Sequence, residues 1–97
     1  PRQWASTQNN LGGALQSQGE RRGGAEGAAL LAKAVEAYGK ALEVHTKADL
    51  PQDWARTQNN LGNALNRQGE RTGGADGAAL LAKAVEAYGK ALEVYTQ

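Results

Sequence analysis

Apolar residues recur along the chain at helical spacing, in two stretches that are each written twice. Trp54, Leu61 and Leu65 stand seven and four residues apart, which sets them on one stripe of an α-helix, and Trp4, Leu11 and Leu15 repeat that spacing. Further on, Leu31, Val35, Tyr38 and Leu42 fall at offsets of zero, four, seven and eleven and form the inward face of a second helix. Lys33, Glu36, Lys40 and Glu43 take the other side as a solvated face, with Glu36 and Lys40 in the favourable i to i+4 order that adds about 0.2–0.5 kcal/mol. The pattern predicts two helices per unit, four in all.

Local signals set the expected ends. Pro51 suits a first helical position, because its missing N–H has no partner there, and it pushes Leu50 out of the helical region. Pro1 repeats that start. Asp53 meets the positive end of the helix dipole. Gly19 and Gly69 are read as left-handed caps that end the first helices. Residues 20–27 and their copy 70–77 hold three glycines in eight residues and are read as loops. Asp76 is placed as an N-cap and Glu26 as a poorer one, with the second helix of the first copy running from residue 28 to about 46. Gly12 and Gly62 are expected to face the Ala34 and Ala41 side of the partner helix, or its copy Ala84 and Ala91, so that the helices cross closely. Gly39 and Gly89 fall on the side of Glu36 and Glu43 and are expected in solvent, at a cost of about 1 kcal/mol each relative to alanine.

Residues 51–97 match residues 1–47 at 37 of 47 positions. A 50-residue unit written twice is what a helical repeat looks like, since each hairpin hides its apolar face only against a neighbour. The expected fold is all-α, an α-solenoid of antiparallel helix pairs, with residues 1–50 and 51–97 as its two repeats. Composition makes mutual burial necessary. Of the apolar residues 19 are alanine and none is Phe, Met or Ile, so helices must lie close and the two Trp supply a large share of the buried area.

Charge and cysteine content narrow the function. Eleven basic residues against ten acidic ones leave a net charge of +1, too weak a field to point to nucleic acid or anionic lipid. The absence of cysteine excludes disulfides and thiol chemistry, and the longest apolar stretch is far short of a membrane span of about 20 residues. With one histidine, no nucleophile beside a base, and glycine-rich segments that contain no lysine and follow a helix, no catalytic residue, metal site, P-loop or cofactor is expected. A cytoplasmic setting is expected, and the chain reads as a piece of a longer array or a designed pair.

Leu61-Gly62, Leu65, Ala84 with Tyr88 four residues on, and Ala91-Leu92 resemble the tetratricopeptide repeat, over most of both units. The unit departs from the 34-residue pattern in its length, in a Trp seven rather than three residues before the Leu, and in a glycine-rich insertion of about ten residues. It is most similar to the long bacterial form, through the run Trp54-Ala55-Arg56-Thr57-Gln58-Asn59-Asn60-Leu61-Gly62. The resemblance implies a right-handed stack of hairpins whose first helices line a concave face, and a peptide or partner protein bound there.

On that face Arg56, Asn60, Asn63 and Arg67 are spaced by four, three and four, joined as candidates by Asn59, Asn9 and Asn10. Asn both donates to and accepts from a peptide backbone, and Arg offers a planar fork to a carboxylate. The first copy has Ser6, Asn10, Gly13 and Ser17 in the stripe, with no cation. A second use of the Asn residues is to tie one unit to the next, since mid-helix Asn is otherwise unfavourable. Arg56 and Arg67 read equally as solvated charges, and His45, replaced by Tyr95 in the copy, as a capping or interface residue. Units without polar end caps also predict self-association, as an exchanged dimer or an end-to-end stack.

Overall fold

The computed structural model describes residues 2–96, which form four helices, α1 (Arg2–Arg22), α2 (Gly24–Leu42), α3 (Pro51–Thr72) and α4 (Gly74–Tyr95), with no strand among the described residues. Pro51 opens α3 behind a non-helical Leu50, as its locked φ dictates. Pro1 lies outside the described residues. No described helix is long and apolar enough to cross a membrane.

The glycine-rich segments are helical, against expectation. α1 and α3 run through Gly19 and Gly69, and each hairpin reverses at a single non-helical residue, Gly23 or Gly73. Those two residues have φ near 70° and ψ near 180°, a region essentially reserved for glycine, and Gly24 and Gly74 follow at φ 58° and 60°. Gly19 and Gly27 serve a close approach instead of a cap: a Cβ on Gly27 would stand 2.5 Å from the Gly19 carbonyl oxygen, and Gly69 and Gly77 repeat the contact. Glu26 and Asp76 are consequently not N-caps. They sit in the first turns of α2 and α4, where their charge favours the dipole without a side-chain capping bond.

Each hairpin is antiparallel, since Gly12 meets Tyr38 and Gly19 meets Leu31, with Gly62 on Tyr88 and Gly69 on Leu81 in the copy. Gly12 and Gly62 therefore face the expected side of the partner helix, where Tyr38 lies between Ala34 and Ala41 and Tyr88 between Ala84 and Ala91, and what they seat there is the tyrosine ring. Gly39 and Gly89 are exposed, with open space where a Cβ would be.

α2 packs along α3, so the hairpins share a core in which Ala34, Tyr38 and Ala64 are enclosed by Leu15, Val35 and Leu61. A second cluster joins Ala55, Ala91 and Val94 to Trp54. Lys47, in the turn between the hairpins, lays Nζ 5.6 Å from the Trp54 ring centroid and pairs with Glu93 at 2.7 Å. α2 ends three residues earlier in its unit than α4 does, and His45 turns inward to meet Thr57, Nδ1 to Oγ1 at 3.4 Å, with both side chains buried. The radius of gyration of 13.0 Å is that of one body, since a compact chain of this length has about 13 Å.

The duplication makes the chain its own control. Leu31 is fully buried while its copy Leu81 is 37% exposed, and Ala64 is buried while Ala14 is exposed. Thr57 is buried and Thr7 exposed. The run around Leu31 and Leu81 is identical in the two copies, so the difference is the α2–α3 interface, which α1 and α4 each present only one half of.

Candidate functional site

α1 and α3 lie side by side and parallel, because Asn60 Nδ2 donates to Asn9 Oδ1 at 3.3 Å and Arg67 reaches Glu20 at 3.2 Å. Both pairs hold one hairpin to the other. Asn63 is turned inward within its own hairpin and accepts from the Tyr88 hydroxyl at 2.5 Å. The first copy has Gly13 at that position, and the Tyr38 hydroxyl donates instead to Gln16 Oε1 at 3.1 Å. Burial pushes the Tyr38 hydroxyl above the ordinary phenol range, with the Glu20 charge adding to it. Burial also raises Tyr88, with Arg67 lowering and Glu70 raising it.

Of the seven candidate residues, the structure brings Asn9, Asn60 and Arg67 to the α1–α3 seam, while Asn63 is taken up by Tyr88 of its own hairpin. Arg67 is solvent-facing and held between Glu70 and Glu20, whose hydrogen bonds and charges keep its guanidinium still more firmly protonated. Arg56 bends to Asp53 one turn back on α3, at 2.8 Å. Asn10 and Asn59 are exposed, each on the side of its hairpin where the other hairpin does not lie. Asn9 and Asn60 thus tie one unit to the next, while Asn10 and Asn59 stay open to solvent.

Arg71 stands out although the stripe omits it. Its guanidinium crosses to the turn of the first hairpin and donates from Nη1 to the Gly19 carbonyl at 2.9 Å and from Nη2 to the Glu20 carbonyl at 3.0 Å. Gly27 leaves it the room, because a Cβ there would collide with Nη1. The available signal was an arginine in the last turn of a helix, the place where basic side chains satisfy free carbonyls.

A groove of about 430 Å³ opens between α2 and α4 over α3, with Val35, Leu61, Leu65 and Leu80 in its walls and Lys83 and Lys90 beside them. A smaller one of about 250 Å³ between α1 and α2 is lined by Gln8, Leu11, Leu15 and Ala37, which are the copies of Gln58, Leu61, Leu65 and Ala87 in the larger. It lacks a third wall. No group of three or more metal-ligating side chains occurs among the described residues. No family model matches the chain, and no curated protein or solved structure matches it either.

Proposed function

We propose that the chain is a protein-interaction scaffold, two TPR-like hairpins stacked as a short solenoid, and that a peptide or partner protein lies along the polar seam of the first helices α1 and α3. The observation that carries this reading is the amide pair itself. An Asn side chain has two N–H donors and a carbonyl with two lone pairs, and the Asn60 to Asn9 bond uses one donor and one lone pair. Asn60 Oδ1 and Asn9 Nδ2 keep capacity for the N–H and C=O of an extended peptide. Arg56 and Arg67 supply cations at either end of the α3 stripe, and Glu20 and Glu70 supply anions near Arg67. A peptide carrying both signs of charge fits this better than an acidic one.

Capture from a displayed peptide library by the unaltered chain, compared with Asn60→Ala combined with Asn63→Ala, tests the seam. Equal capture by two forms of matched thermal stability rules it out as the binding surface. A second reading, that the unit serves mainly to assemble with its own kind, is favoured by the contrast in burial between duplicated residues, with Leu31 covered and Leu81 open.

A further inference from the structure

We infer that α4 of one copy docks on α1 of the next in the register in which α2 docks on α3, so that the chain associates head to tail through a copy of its internal joint. The inference rests on the stacked-hairpin reading above and adds the contacts that make the joint.

Four features of the internal joint recur as separated halves at the two ends. The first is the groove: Ala32, Val35 and Gly39 of α2 wall the larger one, and their copies Ala82, Val85 and Gly89 stand on α4 with Val85 71% exposed. The incomplete groove beside Leu11, itself 47% exposed, lacks just this wall. The second is the amide bond, whose donor half Asn10 is open on α1 and whose acceptor half Asn59 is open on α3. The third is the guanidinium clamp. Arg71 grips the Gly19 and Glu20 carbonyls, while its copy Arg21 is exposed and the matching carbonyls of Gly69 and Glu70 receive no arginine. The fourth is apolar cover, since Trp4, Leu92 and Tyr95 are large exposed side chains at the two ends.

A second copy is the occupant that matches all four halves at once. An amphipathic helix of another protein would cover the apolar residues without supplying the amide at position 10 and the guanidinium at position 21. The contact is heterologous, because α4 and α1 are different surfaces, and a heterologous contact does not stop at two unless the rotation closes a ring.

Two substitutions weaken the outer joint relative to the inner one. Ser17 stands where Arg67 reaches Glu20, so the copied partner Glu70 gains no cation. Tyr95, half exposed, stands where the smaller His45 is buried against Thr57, so the outer joint must fit a larger ring beside Thr7. Ser17→Arg and Tyr95→His restore the inner chemistry.

Sedimentation of the full 97-residue chain over a concentration series tests the joint. The unaltered chain is expected to gain mass past the dimer as concentration rises. Leu11→Glu blocks the α1 face and Val85→Glu the α4 face, so each alone is expected to stay monomeric while their equimolar mixture forms a species of two, in which the one sound α4 face meets the one sound α1 face and both free faces are blocked. Ser17→Arg is expected to lower the concentration of half-association several-fold. Both glutamates replace exposed side chains, and circular dichroism confirms that each variant folds. A monomer at about 1 mM, a mass that stops at two, a mixture that stays monomeric, or association that survives Leu11→Glu but not Val85→Glu each overturns the joint. Peptide capture by the monomeric Leu11→Glu form reads the α1–α3 seam separately, so failure of one proposal is distinguishable from failure of the other.

Discussion

A Cβ on Gly12 would stand 2.5 Å from Cε1 of Tyr38, so the tyrosine ring occupies the space that any larger residue at position 12 needs. Gly62 and Tyr88 repeat the relationship at 2.7 Å. Because Tyr38 is buried and its hydroxyl is anchored on Gln16, the ring has little freedom to yield.

Gly12→Ala is therefore expected to destabilise the chain by about 1–3 kcal/mol through overpacking, despite the gain in helix propensity. Gly39→Ala and Gly89→Ala, where nothing lies near the added methyl, are expected to stabilise by up to about 1 kcal/mol each. Urea unfolding of the three variants reads both signs. A loss at Gly39 and Gly89 would place them in a contact.

Gly23→Ala and Gly73→Ala place a side chain at φ near 70° with extended ψ. Each is expected to cost about 1–3 kcal/mol, since an added Cβ meets nothing within 4 Å at position 73 and only the Arg71 guanidinium, at 3.9 Å, at position 23. Thermal melts suffice to detect it. An unchanged midpoint would show that the reversal tolerates an ordinary residue.

Arg71→Ala removes two charge-assisted bonds to carbonyls of the other hairpin, while Arg21→Ala removes none within one copy. The first is expected to lose about 1 kcal/mol, the lower part of the usual range because the site is partly solvated, and the second less than about 0.5 kcal/mol. Lysine at 71 is expected to recover only part of the loss, as it lacks the fork that spans two carbonyls. Equal losses at 21 and 71, measured in dilute solution, would contradict the clamp.

Tyr38 and Tyr88 both have hydroxyl pKa values raised on folding. The folded state holds these protons more tightly than the unfolded chain, so their contribution is whole below the unfolded value of about 10 and is lost as pH climbs through it and past the folded value. Stability is expected to fall steeply above about pH 10, and the fall is expected to be shallower in Tyr38→Phe with Tyr88→Phe. Urea midpoints between pH 8 and 11 decide it, and identical slopes would mean that other groups govern the alkaline limb.

The Asn row was legible in the sequence as polar residues on one helical face, and so was the choice between tying units and meeting a ligand. Which Asn does which was not legible. Asn9 and Asn10 are neighbours of the same type, and only the direction in which the next hairpin lies turns Asn9 into a bridge and leaves Asn10 open. Arg71 escaped for a related reason: its partners are backbone carbonyls 51 and 52 residues away, and a carbonyl carries no residue identity to recognise.

By itself the sequence determined what depends on neighbours along the chain: helical stripes from Trp54 to Leu65 and from Leu31 to Leu42, the start at Pro51, and the doubling of one unit. Tertiary structure decided what depends on neighbours across space. Glycine at 19 read locally as a helix cap and those at 23 and 27 as a loop, yet two helices packed backbone to backbone make them a tight reversal, because the contact favours the absent side chains more than helix propensity disfavours them. Leu31 and Leu81 sit in the same run of letters and differ in burial, since removal from water is a property of what lies opposite.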